Sequence, residues 1–140
     1  MKRTVLLDTG PLVAFLSRRD RHHAWVTKQF ARIRPPLLTC EAVLTEACFL
    51  LSHQPGGDQS VFSLLQKGVF KVGFSLQEEA SAVAKLLLRY ADVPMALADA
   101  CLVRLAELNK GSLLLTLDSD FAIYRMNRRS QIPLLIPEDR

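Results

Sequence analysis

The stretch that decides the fold is Val5-Leu6-Leu7-Asp8-Thr9-Gly10-Pro11, near the start of the chain. Three consecutive apolar residues, from Val5 to Leu7, predict a strand that is covered on both faces, as in parallel sheets. Asp8 ends this run. Pro11 suits the first turn of a helix, and the spacing of the apolar residues after it predicts that this helix extends to Leu16. A buried strand that passes directly into a helix indicates an α/β fold, with Asp8 at the carboxyl end of the strand.

The rest of the chain continues this alternation of strands and helices. Four further apolar runs predict strands, and six segments with helical apolar spacing predict helices. The pattern indicates a parallel sheet between layers of helices, and no repeat or linker divides the single domain predicted over residues 1–140. The predicted strands are 37–39, 69–72, 113–115 and 134–136, the predicted helices are 24–33, 41–51, 61–66, 77–90, 96–107 and 118–126, and a loop is predicted at 54–58.

The composition is that of an ordinary globular protein. Of 140 residues, 49% are hydrophobic and 23% are charged, which argues against a disordered chain. The formal net charge of +4 is compatible with a nucleic-acid partner but is weak evidence alone. The apolar run before Asp8 is too short for a signal peptide, and no apolar run is long enough to cross a bilayer, so we expect a cytoplasmic protein without a membrane partner.

The three cysteines, Cys40, Cys48 and Cys101, favour the same compartment. Their number is odd and their spacing contains no CxxC pattern, so a zinc site is not expected. Each has apolar neighbours in the sequence, which is typical of small core residues in a reducing compartment.

Four acidic residues are unusual because their sequence neighbours are apolar. Asp8 directly follows a predicted strand and Asp118 lies just past another, and ligands of parallel sheets bind at the carboxyl ends of strands. Glu46 and Asp99 lie in predicted helices, with apolar residues three and four positions away on both sides. A carboxylate on an apolar face is costly unless it is paired or binds a metal ion, and neither helix offers a basic residue within one turn.

If these carboxylates converge, a divalent cation is the simplest means of relieving their repulsion. Oxygen ligands suit magnesium or manganese, and such an ion can activate water for hydrolysis of a phosphodiester. One acid in a helix is ordinarily a solvated residue or half of a structural pair. The prediction of a functional site therefore rests on the four residues together.

Two groups of arginines are candidates for contacts with the phosphates of a nucleic acid. The first follows the predicted helix that begins near Pro11, and the second lies close to the C-terminus. A solvated basic face is an equally good interpretation of both. The candidates are Arg18, Arg19, Arg125, Arg128 and Arg129.

Four segments of the chain resemble motifs of the PIN-domain nucleases. They are LDTGPLVA at 7–14, LTEA at 44–47, MALADA at 95–100 and LTLDSDF at 115–121. Their order and spacing also match, and the resemblance covers nearly the whole chain. Any one motif alone is weak, but together they are specific. The most similar branch is that of the VapC-type toxins of bacterial and archaeal toxin–antitoxin pairs.

This resemblance implies a three-layer α/β/α sandwich with a central, mostly parallel sheet, and a ribonuclease that depends on Mg²⁺ or Mn²⁺. It implies that Asp8, Glu46, Asp99 and Asp118 form the catalytic quartet. Asp8, Asp99 and Asp118 would bind the metal ion, and Glu46 would hold the attacking water. It further implies a homodimer and a cognate antitoxin as partners. The supporting residues would be Thr9, Thr116 and Asp120.

Three alternatives remain from the sequence. The string Leu6 to Gly10 also resembles the active-site motif of aspartic proteases, but their fold is nearly all strand, whereas helical patterns dominate here. A phosphatase of the haloacid dehalogenase type needs an aspartate two positions after Asp8, where this chain has Gly10. The more serious alternative is a non-catalytic RNA- or protein-binding module on the same fold.

Overall fold

The computed structural model describes residues 3–138, so Met1, Lys2, Asp139 and Arg140 of the predicted domain lie outside the described residues. A five-stranded parallel sheet is the centre of the described chain, and a separate antiparallel hairpin lies near its C-terminal end. The strands are β1 (Val5–Leu7), β2 (Leu37–Thr39), β3 (Phe70–Val72), β4 (Leu113–Leu115), β5 (Arg125–Met126), β6 (Ser130–Gln131) and β7 (Leu134–Leu135).

Helices flank the sheet on both faces and complete three layers. They are α1 (Thr9–Leu16), α2 (His23–Arg32), α3 (Glu41–Leu50), α4 (Gly57–Lys67), α5 (Ala80–Arg89) and α6 (Leu97–Leu108). α1 packs against α2 and α3, α3 packs against α4, and α5 packs against α6. The predicted α/β/α sandwich with a mostly parallel sheet is confirmed.

The order of the strands in the large sheet is β3-β2-β1-β4-β7, which places β1 at its centre. Leu6 of β1 is paired with Leu38 of β2 and with Leu114 of β4. Leu6 and Leu114 are fully buried, as the run of apolar residues predicted for a strand covered on both faces. The carboxyl ends of β1 and β4 therefore lie side by side, and the residues that follow them are neighbours.

The helix predicted over residues 118–126 is wrong. This segment forms a short 3₁₀ helix at Ser119–Ala122 and then enters β5, which is antiparallel to β6. Asn127 and Arg128 have φ angles of 49° and 68° and reverse the chain between the two strands. Periodicity did not indicate this hairpin, because its two strands have only two residues each.

Smaller differences concern the ends of helices. The loop predicted at 54–58 is shorter, because α4 already begins at Gly57, where any side chain would meet the carbonyl oxygen of Leu51. The helix predicted from residue 77 begins at Ala80 after a turn. Among residues 3–138, no helix combines the length and the apolar character that a membrane crossing requires.

Candidate active site

The four predicted acids line one open cleft at the carboxyl end of the sheet. Asp8 directly follows β1, Asp118 lies three residues beyond β4, Glu46 is in the middle of α3, and Asp99 is in the first turn of α6. The cleft has a volume of about 510 Å³. We call it the acid cleft, and its lining is Asp8, Thr9, Gly10, Glu46, Leu50, Ala96, Asp99, Leu117, Asp118 and Ser119.

Asp8 is the most buried of the four acids, with 6% of its surface exposed. It caps the N-terminus of α1, where its Oδ1 atom accepts a hydrogen bond of 2.7 Å from the backbone N–H of Thr9. Burial raises the pKa of Asp8 to about 7, and its hydrogen bonds with Thr116 and Thr9 oppose this increase. The nearby charges of Asp99 and Asp118 raise this pKa further, because they repel the ionised form of Asp8.

Two threonines connect three of the acids in a continuous series of hydrogen bonds. The Thr9 hydroxyl donates to Oε1 of Glu46 at 2.7 Å. The Thr116 hydroxyl donates to Oδ2 of Asp8 at 2.7 Å and accepts from the backbone N–H of Asp118 at 2.9 Å. We call Glu46, Thr9, Asp8, Thr116 and Asp118 the acid–threonine series, since each member is bonded to the next through its side chain or backbone N–H.

Asp99 has a different environment, outside this series. Its Oδ2 atom accepts a hydrogen bond of 3.1 Å from the backbone N–H of Ala96 and one of 3.4 Å from the hydroxyl of Tyr124. Burial is the largest cause of a raised pKa at Asp99, and the charges of Asp118 and Glu46 raise this pKa further. Burial, followed by the charge of Asp99, also raises the pKa of Tyr124 above its ordinary value.

Tyr124 is a neighbour of the site that the sequence did not indicate. Its ring is fully buried and contacts Phe121 and Tyr90 in edge-to-face geometry. Neither this packing nor an acceptor for the tyrosine hydroxyl was indicated by a sequence pattern. The acceptor, Asp99, is 25 positions away along the chain.

The surroundings of Glu46 and Asp99 differ from the expectation that both point towards the core. Both side chains are half-buried at the rim of the acid cleft. The apolar residues after Glu46 are largely exposed, with 75% of Phe49 and 48% of Leu50 accessible. Leu97, beside Asp99, is exposed as well. An apolar helix face was correctly recognised, but part of it borders an open surface.

Asp120, predicted as a supporting residue, is exposed and lies outside the lining of the acid cleft. Its backbone N–H donates to Oδ1 of Asp118 at 2.9 Å. Asp120 therefore contacts the site through its backbone and fixes one oxygen of Asp118, which caps the 3₁₀ helix.

The donor chemistry of the acid cleft fits a hard divalent cation. Within residues 3–138, no three His, Cys, Asp or Glu side chains are close enough to form a complete metal-binding group as they stand. However, the cleft is lined by four carboxylates and, over the described chain, by no lysine or arginine. Asp8 and Asp99 have raised pKa values from burial and mutual repulsion. A cation bound by oxygen atoms would offset both effects.

None of the arginines predicted to bind RNA is among the described residues that line the acid cleft. Arg18 and Arg19 are exposed between α1 and α2, and Arg128 and Arg129 are exposed in the turn of the hairpin. The Nη1 atom of Arg125 donates to the carbonyl oxygens of residues 122, 123 and 124, at 2.6, 3.1 and 3.2 Å. Arg125 therefore stabilises the chain between the 3₁₀ helix and β5, and this contact was not predicted.

Comparison with solved structures finds chains with the same fold, including the following two. The crystal structure of Mycobacterium tuberculosis VapC20, a toxin that cleaves the sarcin–ricin loop, aligns with a TM-score of 0.75 and 19% identity over 86% of this chain and 94% of that chain. The structure of VapBC2 from Rickettsia felis, bound to a DNA fragment from its promoter, aligns with a TM-score of 0.62 and 14% identity over 96% of this chain and 99% of that chain. At these identities the likeness establishes a shared fold.

Sequence comparison identifies the family. No curated protein sequence gives a significant match to the chain. The family model of the PIN domain matches residues 5–126, a range that includes all four acids of the cleft and both threonines of the acid–threonine series. Because this match covers most of the 140 residues, the chain belongs to the PIN domain family.

Proposed function

We propose that this protein is a metal-dependent endoribonuclease that cleaves RNA phosphodiester bonds with an activated water molecule. The observation that carries the proposal is the meeting of four carboxylates, from four separate elements of the fold, in one cleft without a basic residue among its described lining. Such a cleft repels the phosphates of RNA unless a cation is bound. The PIN family membership and the shared fold with a toxin that cleaves RNA support the same activity.

In this proposal, Asp8, Asp99 and Asp118 hold Mg²⁺ or Mn²⁺. The bound ion would supply Lewis acidity, which lowers the pKa of water and offsets negative charge developing on the phosphate. Thr116 serves two of these ligands at once, because it is bonded to Asp8 and to the backbone of Asp118. Hydrogen bonds of this kind fix the orientation of carboxylates that bind a metal ion.

Glu46 is the proposed base that orients the attacking water. Its Oε1 atom is occupied by the hydroxyl of Thr9, which limits rotation of the carboxylate. The Oε2 atom then accepts the hydrogen bond, and finally the proton, of the attacking water. Leu50, one helical turn later on α3, borders the same cleft.

We further propose that the protein is the toxin of a toxin–antitoxin pair, acts in the cytoplasm as a homodimer, and is inhibited by a cognate antitoxin. Both structural neighbours named above come from VapC or VapBC systems. Exposed apolar side chains offer surface for such partners, since 75% of Phe49 and 80% of Leu88 are accessible. The three free thiols suit a reducing compartment.

The test is cleavage of a mixed RNA pool by the purified, partner-free protein with Mn²⁺, with Mg²⁺ and with EDTA. We expect cutting with either metal ion and none with EDTA. Asp99→Asn removes one proposed metal ligand and should abolish cutting. Asp58→Asn serves as the matched control, because Asp58 is exposed in the first turn of α4, outside the lining of the acid cleft.

Two results would contradict the proposal. The first is equal cutting with EDTA and with metal ions. The second is that the protein, with its folding verified by circular dichroism, binds RNA but does not cut it with either metal ion. This second result would favour the alternative of a non-catalytic RNA-binding module.

A further inference from the structure

A second cleft, with a volume of about 310 Å³, lies at the amino end of the sheet, opposite the acid cleft. Arg3, Arg34 and Lys71 line it together with Thr4 and Leu38, and no acidic residue of the described chain contributes to its lining. We call it the basic cleft. The two ends of the sheet therefore carry opposite charge, with acids beyond the carboxyl ends of the strands and cations beside their amino ends.

The three cations come from parts of the chain that the sheet holds in place. Arg3 lies two residues before β1, and its Nε atom donates to the carbonyl oxygen of Gly111 at 2.7 Å. Arg34 lies in the loop between α2 and β2. Lys71 is the middle residue of β3, the edge strand, and is paired in register with Leu38. All three basic side chains are exposed, so they are accessible to a ligand.

The floor of the basic cleft is an uncovered part of the sheet. Successive residues of a strand point to opposite faces. In β2 and β3, Leu37 and Phe70 are buried on one face, whereas their successors are not: Leu38 is half-buried and Lys71 is exposed. This part of the second face is therefore open, and the cations surround a rigid apolar surface.

A cation-lined cleft of this kind meets a need of the proposed reaction. The acid cleft has no basic residue in its described lining, so without a bound metal ion it contributes no direct attraction for phosphate groups. Affinity for a polyanion must then come from cations elsewhere on the protein. From Arg3 to Asp8 the chain advances five residues, or about 17 Å in extended conformation, a distance that a few nucleotides span.

We propose that the basic cleft binds phosphate groups of the RNA substrate a few nucleotides from the bond that is cut. This proposal rests on the proposed nuclease function for the identity of the polyanion. Arg3, Arg34 and Lys71 each contact a phosphate, and Leu38 packs against a sugar or base. The contacts are with the backbone, so they increase affinity for RNA without reading its sequence.

The experiment measures binding of a single-stranded RNA at a series of salt concentrations in EDTA, where the proposed metal-dependent nuclease does not cleave it. The variant Arg3→Gln/Arg34→Gln/Lys71→Gln removes the three cations. The control Lys28→Gln/Lys85→Gln/Arg89→Gln removes the same net charge from exposed positions on α2 and α5. Because both variants lose three charges, a difference between them reflects where the charges lie.

We expect the basic-cleft variant to bind roughly tenfold more weakly at moderate salt and its salt dependence to fall by about 2 in log–log slope, as three lost contacts to a single strand imply. The control should retain most of the affinity. Arg34→Gln/Lys71→Gln, which keeps the bond between Arg3 and Gly111, should show a smaller loss of the same kind. This double variant separates lost binding from altered folding.

Equal weakening by the two triple variants would overturn the proposal, because it would indicate a general effect of net charge. Unchanged affinity of the basic-cleft variant would overturn it as well, even if the wild-type protein cleaves RNA with Mn²⁺ and the nuclease proposal stands. Selective weakening of binding by a protein that never cleaves would support the basic cleft and count against the nuclease.

Discussion

The acid cleft has two sides that hold their carboxylates in different ways. On one side, the acid–threonine series connects Glu46, Asp8 and Asp118 through the hydroxyls of Thr9 and Thr116 and the backbone N–H of Thr9, with bonds of 2.7 to 2.9 Å. On the other side, Asp99 is held by the backbone of Ala96 and by a longer contact of 3.4 Å from Tyr124. The first side is a connected network, whereas the second is a single helix supported by an aromatic cluster.

Asp8 and Asp99 also differ in burial and in the lengths of their hydrogen bonds. Asp8 is almost completely buried, so its orientation is fixed but its charge is costly in the metal-free protein. Asp99 is half-buried, and its two hydrogen bonds, of 3.1 and 3.4 Å, are longer than the two bonds of 2.7 Å to Asp8. We infer that the acid–threonine series defines the geometry of the cleft and that Asp99 completes it when a cation is bound.

The largest expected effect is the loss of cleavage on removal of a carboxylate from either side. Asp8→Ala and Asp99→Ala should each reduce cleavage of RNA by about 1,000-fold or more, because several kcal/mol of electrostatic stabilisation depend on the cation that both would hold. Rates are measured under saturating Mn²⁺, with circular dichroism to verify folding. A folded variant of either kind that retains most of its cleavage would remove that residue from the proposed site.

The second prediction concerns the cost of burying Asp8 without a metal ion. Its pKa is about 7 in the folded protein, whereas an unperturbed aspartate, as in the unfolded chain, has a pKa of 3.8. Between these two pH values the folded state keeps a proton that the unfolded state loses. The free energy of unfolding in EDTA should therefore decrease as the pH rises from about 4 to about 7, by up to about 4 kcal/mol. Urea unfolding at several pH values measures this decrease.

Asp8→Asn is the reference for this measurement, because it keeps an oxygen that accepts the Thr9 N–H but cannot ionise. The difference in stability between wild-type protein and variant isolates the titration of Asp8 from that of other groups. We expect this difference to change with pH in favour of the variant. A difference that is the same at pH 4 and pH 7 would show that burial does not raise the pKa of Asp8.

A smaller effect is expected from Thr116→Val, which breaks the acid–threonine series without removing an acid. The substitution leaves the Oδ2 atom of Asp8 without a donor and the backbone N–H of Asp118 without an acceptor, which should cost about 2 kcal/mol of stability. Cleavage should fall by about 10- to 100-fold, as is usual when a residue supporting metal ligands is lost. Thr116→Ser keeps the hydroxyl and should retain most activity, so equal losses for valine and serine would contradict a role of this hydroxyl.

The smallest effect is expected on the Asp99 side. Tyr124→Phe removes a long hydrogen bond to Asp99 and keeps the buried ring, so cleavage should decrease by about fivefold, with weaker Mn²⁺ binding. Tyr90→Phe is the matched control, because the Tyr90 hydroxyl accepts from the backbone of Arg125 and not from the site. Equal effects of the two substitutions on Mn²⁺ affinity would show that Tyr124 acts through packing alone.

The sequence predicted the part of the site that depends on strands. Short apolar runs at 5–7 and 113–115, each followed by an acid, are sufficient to place Asp8 and Asp118 at one edge of a parallel sheet. The threonines beside these acids were predicted as supporting residues from the family resemblance. Their hydrogen-bond partners required coordinates, because Asp8 and Thr116 are 108 positions apart in the chain.

The exposed surfaces of the protein and the turn of its hairpin could not be predicted from the sequence in the same way. Apolar spacing around Glu46 does not distinguish a core from an uncovered surface, and Phe49 and Leu50 proved to be exposed. The hairpin after the 3₁₀ helix depends on positive φ angles at Asn127 and Arg128, which are not glycines. The basic cleft brings together Arg3, Arg34 and Lys71. These residues are far apart in the sequence, so they form no charge cluster that the sequence could reveal.

The most direct test of the central claim, that the acid cleft binds a divalent cation through carboxylates on both sides, is thermal unfolding with and without Mn²⁺ at pH 7. A ligand at about 100 times its Kd stabilises the folded state by about 2.7 kcal/mol, which is a shift of several degrees in Tm for a chain of this size. We predict this shift for the wild-type protein and for Asp58→Asn, and its absence in Asp8→Asn and Asp99→Asn. No shift in the wild-type protein, or an equal shift in all four proteins, would contradict the account.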